Sequence, residues 1–203
     1  MMVVFYFIGA ITAPLEVFAA DYDIDAEHTH IMFQIKHMGI SNVKGSFDRF
    51  QGTFSFDPEN IKAAKASANI STESINTGVK KRDDHLRSDE FFGAAKHPSI
   101  TFVSKEISEI DGNSFKVSGD LSIAGITKQI TLDAEFGGIA KDPWGNERAA
   151  FSASTKINRH DFGITWNKVL ETGGLVVGDD VKISIEVEGI RKQEKAGEKS
   201  AQK

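Results

Sequence analysis

The side chains best suited to chemistry fall in three short runs. His28-Thr29-His30 places two imidazoles at i and i+2, which on a strand would point both to one face, as a metal pair requires. Local spacing fixes neither a third ligand nor a carboxylate, although Asp25, His37 and His85 are available. Satisfied structural histidines are the simpler reading, and no metal site is assigned. Arg82-Asp83-Asp84-His85 has the residue types of an acid–base set, but no nucleophile motif accompanies it. An Arg–Asp pair that fixes the surrounding loop explains it more simply. Arg159 and Asp161 could anchor another loop in the same way. Arg82, His85 and Arg159, with Arg87 beside them, are also the groups that could meet a phosphate head group if they stood at the mouth of a cavity. No catalytic residue is assigned: there is no G-x-S-x-G, no Gly-rich phosphate loop and no dinucleotide fingerprint. The absence of cysteine excludes disulfides and thiolate metal sites.

The elements that must position these residues are strands. Ile31, Phe33 and Ile35 alternate with Met32, Gln34 and Lys36, the period of a half-buried strand. After a turn around Gly39, Ser41 and Asn42, a second run carries Phe50, Gly52, Phe54 and Phe56 on one face. Phe47 is out of phase with that face, so a bulge or sharp twist is expected near Asp48–Arg49. Further alternating runs follow. One holds Ala66, Ala68 and Ile70; another Ile100 and Phe102; another Phe115, Val117, Gly119, Leu121 and Ile123. The last three hold Ile130, Leu132, Ala134 and Phe136; then Phe151, Ala153, Thr155 and Ile157; then Val181, Ile183, Ile185 and Val187. Turn chemistry separates them at Asp57-Pro58, Asp111-Gly112-Asn113, Ala124-Gly125 and Asp142-Pro143-Trp144-Gly145. About eight strands at this spacing make a sandwich or a barrel.

Two segments interrupt the meander. From Ser74 to Pro98 the positions of Val79, Asp83, Leu86 and Glu90 predict a helix, with Ser88 as a cap ahead of Asp89-Glu90-Phe91-Phe92. From Arg159 to Asp180, Phe162, Trp166, Val169 and Leu170 share one face of a second short helix, although Gly163 weakens it. Apolar-faced insertions of this kind would cover the ends or a side of a barrel.

Residues 1–19 read as a signal peptide. An apolar run from Val3 to Ile11 is followed by Pro14 and small residues, with cleavage after Ala19, although no Lys or Arg precedes the run. Residues 20–191 form one β-domain, and 192–203 a charged tail. Removing the signal segment implies export, and the expected location is the periplasm. A net charge of −5 and a pI near 5.7 argue against a nucleic-acid partner.

Whether the strands enclose a packed core or a cavity is open from patterning alone. Fifteen phenylalanines against two tyrosines give apolar area without polar groups to satisfy, which suits a hydrocarbon rather than a sugar or nucleotide. Small inward residues (Ala66, Ala68, Gly119, Ala134 and Ala153) favour space. The expected lumen residues are Ile31, Phe33, Ile35, Phe50, Phe54 and Phe56 from the first strands and Phe102, Leu121 and Ile123 from the middle. Leu132, Phe136 and Phe151, then Phe162 and Trp166 from the second insertion, complete the set.

Several motifs, taken together, resemble the YceI family of bacterial periplasmic lipid-binding proteins. They are His28-Thr29-His30-Ile31-Met32-Phe33 with His37 and Gly39, Val43-Lys44-Gly45-Ser46-Phe47, Arg82-Asp83-Asp84-His85-Leu86 and Phe91-Phe92. His97-Pro98-Ser99-Ile100-Thr101-Phe102, Gly119-Asp120-Leu121-Ser122-Ile123-Ala124-Gly125-Ile126-Thr127 and Asn158-Arg159-His160-Asp161-Phe162-Gly163 continue it. The resemblance spans residues 21–191. It implies an all-β fold, a lipocalin-like eight-stranded antiparallel β-barrel covered by one or two short helices. It also implies an apolar channel holding a long isoprenoid lipid, such as a polyprenyl phosphate or a quinone tail, and a homodimer. Other family members hold fatty acids or amides. The expectation is therefore a non-enzymatic periplasmic carrier with a bound isoprenoid lipid, no other cofactor, and transient membrane contact. The alternatives are a metal-dependent or quinone-linked enzyme using His28, His30, His37 or His85, and a packed β-domain acting through protein contacts.

Overall fold

A computed structural model describes residues 19–171 and 173–193. The signal-peptide reading of 1–19, bar its last residue, and nearly all of the charged tail lie outside the described residues.

Eleven strand segments occupy eight positions in a closed antiparallel barrel. β1 (Ala20–Ile24) and β2 (His30–His37) are two parts of one position, both lying on the last strand, β11 (Val177–Arg191). β3 (Ser41–Phe47) pairs with β2, while β4 (Phe50–Phe56) pairs with β1. β5 (Lys65–Ser71) and the short β6 (Ile75–Asn76) repeat the arrangement one position on, pairing with β4 and β3. β7 (Ser99–Asp111), β8 (Ser114–Ile123), β9 (Ile126–Lys141) and β10 (Glu147–Asn158) run up and down from β5 to β11. The β1–β11 ladder, with Tyr22 opposite Arg191 and Ile24 opposite Gly189, shuts the barrel and leaves no long open edge there.

The interruption expected near Asp48–Arg49 is present as a break between β3 and β4. It lets Phe47 and Phe54 both face inward despite their odd spacing, and both are buried. Hydrogen bonds across the corner hold the break. Asp48 N donates to Ser74 O at 3.1 Å, Ser71 N donates to Arg49 O at 2.9 Å, and Asn76 Nδ2 donates to Asp48 Oδ2 at 2.8 Å. β8 shows the pattern in its simplest form: Phe115, Val117, Gly119, Leu121 and Ile123 are buried, and the residues between them are more exposed. Phe136 lies opposite Phe151 in the regular β9–β10 register, and a bulge that omits Gly137 follows, putting Gly138 opposite Ala150.

One α-helix, α1 (Lys80–Arg87), is present among the described residues. It is shorter than the spacing predicts, because Ser88 ends it rather than starting a new turn. Ser88 N donates to His85 O at 3.1 Å, and its hydroxyl donates to the same carbonyl at 2.7 Å. The second helix, expected over Phe162 to Leu170, is absent. A 3-10 turn at Arg159–Phe162 stops at Gly163, whose φ is +74°. The chain then runs to Leu170 without helix or strand, and Val169 forms an isolated bridge with Leu175. Helical spacing failed here because a buried arginine takes the carbonyls of Ile164 and Trp166, which a helix would have used internally.

Candidate functional site: an apolar lumen

The barrel encloses a cavity of about 450 Å³ with an almost wholly apolar lining. That is within the ~300–1,000 Å³ of small-molecule sites. One end is plugged by rings. Tyr22 and Phe54 stack at 4.8 Å between centroids, Phe56 meets Phe136 at 4.7 Å, and Phe151 stands edge-on to Phe54 and Phe56 at 5.3 and 4.8 Å. The Tyr22 hydroxyl leaves the cluster to donate to Glu147 Oε1 at 2.9 Å. Burial and that acidic partner push its pKa up to about 12, so the ring stays neutral.

The middle of the wall is aliphatic and partly small. Ala134 and Ala153 sit opposite each other on β9 and β10, and both line the cavity. On β5 the cavity-lining positions fall to Ala66 and Ala68, opposite Phe54 and Gly52 of β4, and Gly52 adds no room because a Cβ there would stand 2.7 Å from Cδ1 of Ile24. Gly119 does not add room, contrary to the sequence reading. A Cβ there would stand 2.6 Å from Cζ of Phe102 and 2.5 Å from the Val103 carbonyl, so the Phe102 ring already fills the place. Gly45 seats Phe33, and Gly189 seats Phe54, in the same manner.

The other end is covered by the two insertions. Leu86, Phe91 and Phe92 pack on the core, with Phe92 edge-on to Phe47 at 6.0 Å. Trp166 lies 5.1 Å from Phe91 and 5.0 Å from His85. Arg87 ties the helical cover to the wall, with Nε donating to Glu73 O at 2.8 Å and Nη2 to Ile75 O at 3.0 Å.

All of the expected lumen residues line the cavity except Phe50 and Phe136. Phe50 packs against the core cluster beside the Asp48–Arg49 break. Phe136 lies behind Phe56 and Phe151, just before the bulge at Gly137. The sequence reading left out Phe47, whose phase hid it, and the wall residues Ile70, Ile100, Phe115 and Val117, which the alternation of β5, β7 and β8 contained.

Arg82, His85 and Arg159 come together around the covered end of the cavity. Arg82 does not pair with Asp83 as expected. Both side chains hold Thr77 instead: Arg82 Nε donates to Thr77 Oγ1 at 2.7 Å, and Asp83 Oδ1 accepts from Thr77 N at 2.9 Å. Arg82 also donates from Nη2 to Thr77 O at 3.0 Å, and its Nη1 makes no hydrogen bond among the described residues. His85 Nε2 is 2.5 Å from Glu90 Oε2. Arg159, 4% exposed, donates to the carbonyls of Gly178, Ile164 and Trp166 at 2.9, 2.7 and 2.8 Å. Its Nη2 has no hydrogen-bond partner, although Asp179 Oδ1 lies 3.5 Å away. Burial lowers the Arg159 pKa, and Asp179 opposes the shift. Arg159 therefore acts first as the anchor of the second insertion, and both Arg82, through Nη1, and Arg159, through Nη2, keep donor capacity to spare.

His28 and His30 do not form the pair that an H-x-H on one strand would make. His28 lies in the turn before β2, where Nδ1 meets Asp25 Oδ2 at 2.8 Å, and His30 is exposed. Among the described residues one cluster, Asp25, His28 and Glu188, groups metal-type ligand atoms within 4.8 Å. A guanidinium already serves it. Arg148 Nη1 lies 2.6 Å from Asp25 Oδ2 and 2.5 Å from Glu188 Oε1, and its Nε donates to Asp142 Oδ2 at 3.0 Å. Burial alone would raise the pKa of Asp25, but hydrogen bonds from Arg148 and His28 outweigh it and hold the carboxyl at about 2. At Asp142, burial is likewise outweighed by Asn146 and Arg148, and the result is again about 2. These contacts staple the β1–β2 turn, β10, β11 and the β9–β10 turn at the plugged end.

A barrel of this construction has relatives. The model of the YceI-like domain matches residues 22–189. A UPF0312 protein of Pectobacterium atrosepticum is 44% identical over 177 residues, 86% of this chain and 88% of that protein. The crystal structure of the Campylobacter jejuni YCEI protein is 41% identical, with a TM-score of 0.65 over 78% of this chain and 91% of that one. A polyisoprenoid binding domain from Saccharophagus degradans is 16% identical, with a TM-score of 0.63 over 86% and 99%; that likeness is one of fold. On the match that spans the whole barrel, the chain belongs to the YceI-like family.

Proposed function

We propose that the protein is an exported, periplasmic carrier that holds a long-chain isoprenoid lipid in its lumen and does not transform it. The observation that carries this reading is a barrel-length apolar cavity, plugged by rings at one end and bordered by Arg82, His85 and Arg159 at the other. An apolar cavity without polar partners does not hold water well, so hydrocarbon is its natural content. Taking roughly the ~30 Å³ liquid share of a water for each methylene, the lumen accepts about fifteen such groups. A longer chain would displace rings or extend through the covered end. The Saccharophagus degradans domain, described as polyisoprenoid binding, supports the same class of ligand. Arg82, with Nη1 free, suits a phosphate head group over a neutral one. Residues 1–19 supply the export signal.

Native mass spectrometry of the protein purified from its own periplasm tests the whole reading. The expected spectrum shows a chain beginning at Ala20 that carries a lipid of isoprenoid mass. An intact Met1 would remove the export claim. A protein that carries no lipid and takes up no added geranylgeranyl phosphate would remove the carrier claim.

A further inference from the structure

The hairpin that joins β2 to β3 ends in an unusual tip. Met38 has φ +53° and Gly39 φ +74°, left-handed conformations that hairpin turns normally give to Asn, Asp or Gly. Next to them Ile40 is 84% exposed, and Met38 is 42% exposed. A second pair of exposed aliphatics, Val169 and Leu175, forms the isolated bridge in the second insertion. The two pairs share one surface. Met38 N donates to Val176 O at 2.8 Å, and Val176 N donates to Lys168 O at 3.0 Å. That surface borders the lumen, because Lys36, His37, Val176 and Val177 also line the cavity.

The charge around this rim is opposite to that of the chain as a whole. Lys36, Lys44 and Lys168 are exposed, and among the described residues none has a carboxylate within ion-pair distance. β2 and β3 contain no Asp or Glu. The nearby acids Asp179 and Asp180 are engaged by Arg159 with His160 and by Lys156, which leaves Asp161 and Glu171 as the acids of the insertion outside an ion pair among the described residues. A chain of net charge −5 thus turns a cationic, aliphatic rim outward at the covered end of its cavity.

We propose that this rim docks the protein on an anionic phospholipid bilayer. Met38, Ile40, Val169 and Leu175 enter the boundary between head groups and acyl chains, and Lys36, Lys44 and Lys168 meet the lipid phosphates. Aliphatic insertion and basic residues together are the two signals that reversible membrane binding needs. A second copy fits the patch less well, because a two-fold contact sets the patch against itself, and β2 and β3 bring lysines to it but no acids. The docking rests on the lipid-carrier reading for its purpose, and it is measured separately.

The test is co-sedimentation of the full-length mature protein with large vesicles of phosphatidylglycerol and phosphatidylcholine, or of phosphatidylcholine alone. The expected result is binding to the anionic vesicles only, weakened by 0.5 M salt, a concentration at which the Debye length shrinks to about half of its 0.1 M value. The pair Met38→Ser/Ile40→Ser and the pair Lys44→Glu/Lys168→Glu are each expected to lower partitioning at least about tenfold, given roughly fivefold per basic residue at such a surface. Both pairs change exposed side chains, and circular dichroism checks that the variants fold. Uptake of geranylgeraniol from detergent micelles, unchanged in both pairs, reports the lumen independently. Absence of wild-type binding to anionic vesicles would overturn the docking, as would equal binding by the variants. So would light scattering that shows a dimer abolished by Met38→Ser/Ile40→Ser, which would assign the patch to a second copy.

Discussion

Filling the middle of the lumen should separate short ligands from long ones. Ala134 and Ala153 face each other across β9 and β10 and line the cavity between the mouth-side aliphatics and the ring plug. The pair Ala134→Phe/Ala153→Phe places two rings in that space. Each ring displaces about four methylene-sized groups, and at ~0.8 kcal/mol per buried CH₂ this removes about 3 kcal/mol of transfer free energy from a chain that needs the full depth. Two rings that act independently would remove about 6 kcal/mol. Partial relaxation of the wall makes a loss of two to three orders of magnitude in Kd the working expectation, at about 1.4 kcal/mol per decade. Geranylgeraniol, which needs the depth, should show this loss in a fluorescent-displacement titration. Geraniol can stay beside Leu121, Ile123 and Ile157 and should lose less than about threefold. The near-ultraviolet spectrum and the melting temperature verify that the variant is folded. A folded variant that binds geranylgeraniol as tightly as the wild type would refute the assignment of the lumen as the binding site.

Two further outcomes test the frame around the lumen. Gly119→Ala drives a Cβ into the Phe102 ring and the Val103 carbonyl; urea unfolding should show a loss of about 1–3 kcal/mol, as overpacking typically costs, and an unchanged midpoint would contradict the close approach. Arg148→Met removes the cation shared by Asp25, Asp142 and Glu188. Because Asp25 and Asp142 titrate lower in the folded chain than in the unfolded one, they contribute stability above about pH 4 that disappears as pH falls toward 2. Wild-type melting temperature should therefore fall steeply across that window, whereas the variant should be less stable at neutral pH and have a flatter acid limb. Parallel acid limbs would refute the role of the staple.

What the sequence made legible was whatever depends on neighbouring residues. The alternation of Phe115 to Ile123 became the alternating burial of β8, and the turn at Asp111-Gly112-Asn113 became the β7–β8 hairpin. What depends on distant partners stayed hidden. Nothing local to the sequence shows that one barrel position is split into β1 and β2 by a turn, where Thr29 reaches Glu188, 159 residues away, with its hydroxyl accepting from the Glu188 amide at 3.1 Å. Arg148 carries no local motif; its partners Asp25 and Glu188 lie 123 and 40 residues off. The spacing of Phe162, Trp166, Val169 and Leu170 resembles a helix face, but Val169 is 74% exposed, and only Phe162 of the four is fully buried. Among the site residues, hydrophobic phase found most of the lumen. It failed at Phe136, which keeps the phase of β9 but packs behind the rings of Phe56 and Phe151, and at Phe50, beside a strand break. Gly119 misled because an absent side chain looks like space from sequence alone, whereas here it is the seat of a ring.

The two ends of the barrel differ in what must break for a lipid to pass. At the ring end, a passage would have to part the β1–β11 ladder, separate Tyr22 and Phe54 from the rings around Phe151, and pull Arg148 from three carboxylates. Each of those carboxylates would lose the cation that all three share. At the covered end, the insertions rest on ring contacts among His85, Phe91 and Trp166 and on hydrogen bonds from Arg87 and Arg159 to backbone carbonyls. Those carbonyls can turn to water when the cover lifts, so each such bond represents a net of only about 1 kcal/mol, or somewhat more with a charged donor. Traffic through the covered end is therefore the cheaper route by a wide margin. On the proposed carrier reading that asymmetry would also orient the cargo: the tail would enter first and meet the rings, and the head group would stop beside Arg82, His85 and Arg159.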